Sequence, residues 1–152
     1  MKVADILRVK GTALYTVTPN APLADAVNLM AELDIGSVVV MEFGELAGML
    51  TFREVINRLH ANGGAIGDIA TRAAMEPSPL TVTSDTDIME VRRLMLERHA
   101  RYLPVRDGRT LAGVISAAMF HQRRKGKYLP GCGPHSGCEA VKGSRWSGVG
   151  NV

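Results

Sequence analysis

Hydrophobic positions in the first part of the chain change from an alternating period to a helical one. Residues 15–18 alternate in polarity and include β-branched valine and threonine, which is typical of a short strand. After a proline-containing turn at 19–22, apolar residues from Leu23 onward recur at helical spacing, with acidic residues off the stripe. The pattern therefore predicts a strand and then a helix, and Gly36 is expected to end that helix as a left-handed cap.

A hairpin and a second helix are predicted next. The predicted elements are a strand at 37–41, a turn at 43–45, a strand at 46–50 and a helix from Phe52 to about Leu59. Both strands are continuous apolar runs, as expected for buried strands. Thr51 can cap the helix, and Glu54 stands at the third helical position, where it completes a capping box.

The same pattern recurs 65 residues later, with no gap between Val17 and Phe120. The identical pairs are Val17 and Val82, Thr18 and Thr83, Leu29 and Leu94, Met30 and Met95, Glu32 and Glu97, Val40 and Val105, Leu46 and Leu111, Ala47 and Ala112, and Gly48 and Gly113. The second copy predicts a strand at 80–83, a helix at 88–99 and strands at 102–106 and 111–115. Short leaders at 3–6 and 66–69 also match, at an offset of 63. Such a repeat predicts a pseudo-twofold module with paired clefts.

The doubled order strand–helix–strand–strand–helix resembles the cystathionine-β-synthase (CBS) domain, and the pair resembles a Bateman module. The motifs are Asp5-Ile6-Leu7 and Asp68-Ile69 in the leaders, Thr16-Val-Thr-Pro19 and Thr81-Val-Thr83 at the first strands, Ile35-Gly-Ser-Val-Val-Val40 and Arg101-Tyr-Leu-Pro-Val105 at the second, and Gly48-Met-Leu-Thr51 and Gly113-Val-Ile-Ser116 at the third. The resemblance implies an α+β fold of two tandem β-α-β-β-α repeats that pack through their sheets with pseudo-twofold symmetry. We place repeat 1 at residues 1–64 and repeat 2 at residues 65–120.

The resemblance also implies a function. CBS pairs commonly bind adenine nucleotides in the clefts between their sheets and act as regulatory sensors without catalysis. We therefore expect no catalytic residue, no metal site, and AMP, ADP, ATP, NAD or S-adenosylmethionine as a regulatory ligand. The expected partners are a second copy of the chain, as a homodimer, and an unidentified downstream protein. The alternative is a structural dimerisation or protein-interaction module with vestigial clefts.

The first cleft is predicted at Thr51, Arg53 and Glu54. A threonine at a helix N-terminus offers a hydroxyl, free amide groups and the positive end of the helix dipole, all of which suit a phosphate. Arg53 adds a charge-assisted contact, and the Glu54 carboxylate can accept hydrogen bonds from a ribose diol. The family pattern has Asp where this chain has Glu54. The alternative interpretation is that Thr51 and Glu54 only cap the helix while Arg53 is solvated.

The second cleft is predicted at Ser116, where the pattern is incomplete. Met119 stands in place of the ribose carboxylate and Ala118 in place of Arg53, so this cleft is either empty or holds a ligand through other walls. Arg101 is expected to reach a phosphate and Tyr102 to stack on an adenine, although ordinary strand packing also explains Tyr102. The nucleotide-binding residues implied by the resemblance are Thr16, Thr18, Ile35, Ser37, Val38, Thr51, Arg53, Glu54, Thr81, Thr83, Arg101, Tyr102, Leu103, Pro104 and Ser116.

The charge of the chain is concentrated after residue 120. The formal net charge is +3, yet residues 121–152 hold six basic residues and one acidic residue, while the rest holds 12 basic and 14 acidic residues. A nucleic-acid partner is therefore not expected for the folded part. The tail is rich in glycine, contains both cysteines and lacks the repeat, which predicts a segment that is disordered or is not native sequence. Because the chain has no run of about twenty apolar residues and no signal-peptide pattern, we expect a cytoplasmic protein without a membrane span.

Overall fold

The computed structural model describes residues 1–11 and 13–121, without the side chain of His121, so the predictions about the tail from residue 122 lie outside the described residues. The helices are α1 (Val3–Lys10), α2 (Leu23–Glu32), α3 (Phe52–Ala61), α4 (Ile88–Glu97) and α5 (Ala118–His121). The strands are β1 (Thr16–Val17), β2 (Ser37–Glu42), β3 (Glu45–Thr51), β4 (Tyr102–Asp107) and β5 (Thr110–Ser116). The mixed helix and strand content confirms the predicted α+β class. No helix in the described part of the chain is long and apolar enough to cross a membrane.

The strands form two small sheets that correspond to the two copies of the sequence. In the first, β1 pairs parallel to β2, and β2 pairs antiparallel to β3. In the second, β4 pairs antiparallel to β5. Both hairpins carry a register shift at the same repeat position, after Val40 in one and after Val105 in the other. Strands β3 and β5 approach each other, so the two sheets meet through equivalent strands.

The strand predicted at 80–83 is wrong, because only Val82 joins the second sheet, as a bridge to Val105. In repeat 1 the amide of Val39 donates to the carbonyl of Tyr15 at 3.0 Å and holds the first strand against the second. The residue at the same repeat position in copy 2 is Pro104, which has no amide hydrogen to donate. The ladder next to Leu80 therefore lacks this hydrogen bond, and the strand shrinks to one residue.

The prediction that Gly36 caps α2 is also wrong. The helix ends at Glu32, and Asp34 takes the left-handed conformation with φ of 52°. His99, at the same position in repeat 2, has φ of 51° after α4, which ends at Glu97 and not at residue 99. In both copies the left-handed residue that follows the helix, α2 or α4, is therefore not a glycine. Gly36 has a different role, described below.

The two leaders are exchanged between the repeats. Val3 and Leu7 of α1 are buried in the core of repeat 2, where they pack with Val82, Ile88, Val91, Met95, Leu103, Val105 and Ile115. The amide of Val3 also donates to the carbonyl of Thr86 at 3.0 Å. In the reverse direction, Ile66 and Ile69 pack against the core of repeat 1, which contains Leu23, Ala26, Met30, Val38 and Leu50. Each hydrophobic core therefore combines the body of one repeat with the leader of the other.

The end of the second hairpin is tied to the loop before α4 by Asp107. Its carboxylate accepts a hydrogen bond from the Ser84 hydroxyl at 2.5 Å and one from the Ser84 amide at 2.9 Å, and these bonds lower the pKa of Asp107. A carboxyl group with a lowered folded-state pKa stabilises the fold above its unfolded pKa, and that contribution is lost as the pH falls through the folded value. We expect the melting temperature to fall less steeply below about pH 4 in Asp107→Asn than in the wild type. Equal slopes in thermal melts across this pH range would contradict the assignment.

Candidate ligand clefts between the repeats

Cleft 1 lies between the end of β3 with the first turn of α3 on one side and the start of β4 on the other. Its volume is about 710 Å³. Repeat 1 contributes Thr51, Phe52, Arg53 and Glu54 among others, and repeat 2 contributes residues 78–80, Arg98 and residues 100–103. The cleft is therefore built from both copies.

The wall from repeat 1 is an intact capping box. The amide of Thr51 donates to Glu54 Oε2 at 2.8 Å, and the Thr51 hydroxyl donates to the same oxygen. The amide of Arg53 donates to Thr51 Oγ1 at 3.3 Å. The capping role predicted for Thr51 and Glu54 is confirmed, and it fixes both side chains at the positive end of α3.

Arg53, which lines cleft 1, connects the two repeats. Its Nη2 atom donates to the backbone carbonyl of His99, just beyond the C-terminal end of α4. A guanidinium is favoured there because the last carbonyls of a helix carry partial negative charge. The interpretation of Arg53 as only solvated is therefore wrong, since this exposed side chain has a defined partner in repeat 2.

Cleft 2, with a volume of about 630 Å³, is built crosswise in the same way. The end of β5 contributes Ser116, and the residues after it contribute Ala118 and Met119. The opposite wall comes from repeat 1, with residues 13–15 before β1 and residues 34–37 at the start of β2.

The predicted composition of the second cleft is corrected by this crossed arrangement. The sequence placed Ser116 with Thr81, Thr83 and residues 101–104. Arg101 and Tyr102 do line the cleft beside Ser116, but the rest of that set does not, and Ile35 and Ser37 of repeat 1 form the opposite wall. Leu103 lines cleft 1 instead, opposite Thr51. The reason is that the hairpins meet through β3 and β5, so each third strand ends opposite the second strand of the other copy.

Six of the predicted site residues line neither cleft: Thr16, Thr18, Val38, Thr81, Thr83 and Pro104. Val38 and Pro104 are buried, and Val38 packs in the core of repeat 1. Thr83 shares a 3.0 Å hydrogen bond with the Thr86 hydroxyl, which stabilises the loop before α4.

Phe52, Arg101 and Tyr102 line both clefts and form a partition between them. Tyr102 packs directly on Gly36, where an added Cβ would lie 1.9 Å from the phenol oxygen and 2.9 Å from Cζ. Gly36 is therefore required by close approach and not by its own backbone angles. Burial raises the pKa of the Tyr102 phenol, against an opposing effect of Arg101, so the hydroxyl stays protonated at neutral pH.

Among the contributors to cleft 1 that were missed from the sequence, Arg98 and Phe52 bear most on ligand binding. Arg98 lies at the C-terminal end of α4, and Phe52 is the first residue of α3, with 54% of its surface exposed. Arg98 replaces the Leu33 of repeat 1, so a comparison of the two copies for unmatched charges would have found it. Phe52 carries no such signal, since an aromatic residue at this position is compatible with core packing.

Comparisons with known proteins agree with this architecture. The CBS domain profile matches residues 3–61 and again residues 66–119. A CBS-domain protein of Burkholderia ambifaria has a similar structure, with a TM-score of 0.77, 30% identity, and coverage of 86% of this chain and 99% of that one. The structure of CBSX2 in complex with AMP has a TM-score of 0.66 and 25% identity, and the match covers 81% of this chain and 95% of that one.

Two relatives by sequence are also CBS-domain proteins. YhcV of Bacillus subtilis is 30% identical over 105 residues, which are 69% of this chain and 74% of YhcV. The mitochondrial protein CBSX3 of Arabidopsis thaliana is 28% identical over 141 residues, and the match spans 66% of its length and 81% of this chain. With two profile matches, a crossed pair of hairpin sheets and these relatives, the chain belongs to the CBS domain family and carries two CBS domains in tandem.

Proposed function

We propose that this chain is a regulatory module that binds an adenine nucleotide, AMP, ADP, ATP or NAD, in cleft 1. The observation that carries the proposal is that three arginines line that cleft. Arg53 comes from repeat 1, while Arg98 and Arg101 come from repeat 2. Arginine is well suited to phosphate because its planar donors bind two oxygens at once. The AMP complex of the related CBSX2 supports a nucleotide of this class.

The remaining polar groups suit the rest of a nucleotide. The N-terminus of α3 adds the favourable end of a helix dipole beside the Thr51 hydroxyl. Glu54 uses Oε2 for the cap, so in our proposal a ribose diol bonds to its other oxygen. Tyr102, half-buried in the partition, offers a flat surface for the adenine.

We further propose that the module acts without catalysis, by changing the relative position of the two repeats. Arg53 already bonds to the end of α4 in repeat 2, so a phosphate that recruits this guanidinium competes with a contact between the copies. We propose a cytoplasmic homodimer read by a downstream protein, with repeat 1 at residues 1–64 and repeat 2 at 65–120. Exposed apolar side chains on two helices, Phe52 and Ile56 on α3 and Met89 and Leu96 on α4, support the homodimer.

A thermal-shift series tests the nucleotide. At a concentration one hundred times Kd, a ligand stabilises the fold by about 2.7 kcal/mol, and we expect AMP, ADP, ATP, NAD or S-adenosylmethionine to raise the melting temperature by several degrees. The Thr51→Ala, Arg53→Ala double variant should lose that rise, because one change removes a guanidinium donor to the phosphate and the other removes the cap that fixes the N-terminus of α3. Arg92→Ala, an exposed arginine of α4 outside both clefts, is the matched control and should keep it.

The double variant lacks a helix cap, so its fold must be checked by circular dichroism, and Arg53→Ala alone serves if it is unstable. No shift with any of the five ligands would contradict the proposal. It would favour the alternative function, a dimerisation or protein-interaction module, for which the exposed apolar side chains of α3 and α4 are the supporting observation.

A further inference from the structure

We propose that the two clefts take ligands of different charge: cleft 1 takes an anion, and cleft 2 takes an uncharged molecule of nucleoside size. This inference deepens the proposed function and rests on it for the nucleotide in cleft 1. The clefts have similar volumes, about 710 and 630 Å³, so size does not distinguish their ligands. The side chains that line the two clefts do distinguish the ligands.

The cations around the two clefts differ in number. Among the described residues, Arg53, Arg98 and Arg101 line cleft 1, whereas Arg101 is the one cationic residue that lines cleft 2. Cleft 2 also has the acidic Asp34 in its wall. Cleft 1 has two carboxylates, that of Glu54, which is bonded into the cap of α3, and that of Glu76, so its three arginines still outnumber its acidic residues. An anion therefore finds attractive charge in cleft 1 and almost none in cleft 2.

Arg101 lies in the partition, so its single guanidinium cannot bind an anion in both clefts at the same time. An anion in cleft 1 attracts this guanidinium away from the second cleft. Among the described residues, cleft 2 is then left with no cation in its lining, which disfavours a second anion. Occupation of cleft 1 thus makes cleft 2 still more selective for uncharged molecules.

The rest of cleft 2 suits an uncharged ring system. Its apolar lining residues include Leu14, Ile35, Val39, Val114 and Met119. Tyr15 and Tyr102 provide aromatic surface, and Ser37 and Ser116 provide hydroxyl groups. A mostly apolar cavity with a few polar groups is typical of sites for neutral small molecules. Aromatic walls with two hydroxyls match the base and diol of a nucleoside.

The difference between the clefts comes from two neighbouring positions. Ala118 and Met119 of repeat 2 occupy the repeat positions of Arg53 and Glu54, at the common offset of 65. Ala118 is exposed at the edge of cleft 2, so a longer side chain there has room to reach the ligand space. A single substitution can therefore supply the missing cation.

Methyl NMR with Met49 and Met119 as reporters tests the inference, since Met49 lines cleft 1 and Met119 lines cleft 2. The probes are pyrophosphate as a simple anion and adenosine as an uncharged nucleoside, and Met49→Leu and Met119→Leu assign the two signals. Pyrophosphate should shift Met49 and leave Met119 in place, while adenosine should shift Met119. Equal responses of both methyls to pyrophosphate, a silent Met49, or a Met119 unmoved by adenosine would each overturn the inference.

Ala118→Arg is the gain-of-function variant, with Ala118→Gln as the neutral control of similar length. In Ala118→Arg, pyrophosphate should now shift Met119, with an affinity at least about tenfold above that of the control because a charge-assisted hydrogen bond is gained. Identical responses of the two variants would overturn the inference. AMP, ADP, ATP and NAD are titrated in parallel. If pyrophosphate and adenosine behave as expected while none of the four nucleotides moves either reporter, the proposed nucleotide is wrong and the charge selectivity stands.

Discussion

Val3→Asp is expected to unfold repeat 2, although Val3 belongs to the leader of repeat 1. Val3 has no exposed surface and packs in the core of repeat 2, beside Leu7 and Val105. A carboxylate placed there has no cation to pair with and must either stay charged in an apolar core or take up a proton. Either outcome costs several kcal/mol, which is a large part of the roughly 5–15 kcal/mol that stabilises an ordinary domain.

Urea denaturation monitored by circular dichroism measures this effect. Val9→Asp is the matched control, because Val9 lies on the same helix α1 with 67% of its surface exposed. The control should change the free energy of unfolding by less than about 0.5 kcal/mol. If Val3→Asp were equally harmless, α1 would not be docked in the core of repeat 2, and the exchange of leaders would be wrong.

Gly48→Ala is expected to destabilise the fold far more than Gly113→Ala, although the two glycines occupy equivalent positions of the repeat. An added Cβ at Gly48 would lie 2.6 Å from the backbone oxygen of Glu76, which cannot move without breaking its pairing with Met49. At Gly113 the nearest atom, at 2.8 Å, is the Cδ2 of Leu7, the end of a flexible side chain. We expect a loss of about 2 kcal/mol or more at Gly48 and of about 1 kcal/mol or less at Gly113.

Chemical denaturation of the two variants gives both values in one experiment, with Gly113→Ala as the internal control for the lost glycine. A Glu76→Ala background leaves the backbone oxygen in place, so it should not rescue Gly48→Ala. A Leu7→Val background shortens the obstacle and should relieve Gly113→Ala, beyond the cost of Leu7→Val alone. Equal losses at the two glycines would show that the contact between β3 and Glu76 is not as the structure has it.

The parts of the fold that the sequence predicted are those determined by local pattern. The hairpins, the capping box of Thr51 and Glu54, and the helix that begins at Leu23 depend on residues close together in the chain, and all were found. The missing strand at 80–83 was predictable in principle, because Pro104 stands where the chain needs an amide donor. The strand was predicted by analogy with the first copy, which has Val39 and therefore an amide donor at the position of Pro104.

The exchange of leaders and the crossed walls of the clefts could not be read from local pattern. The apolar stripe of α1 is the same whether Val3 packs on its own repeat or on the other one. For the same reason Ser116 was placed with its own first strand and not with Ile35 of the other copy. Gly36 was assigned to a helix end because glycine is common there, whereas its neighbour Tyr102 is more than sixty residues away and belongs to the other repeat.

The exchanged leaders also constrain how the chain folds during synthesis. Repeat 1 lacks Ile66 and Ile69 until the ribosome has passed them, so its core stays incomplete while its own hairpin is already available. Val3 and Leu7 are made before repeat 1, yet the core in which they are buried is not complete until Ile115 has been made. An N-terminal domain usually folds before the next one is translated. Here the leader that is translated ahead of repeat 1 is buried only when repeat 2 is complete, so a ribosome stalled between the repeats would hold a chain in which neither copy is finished.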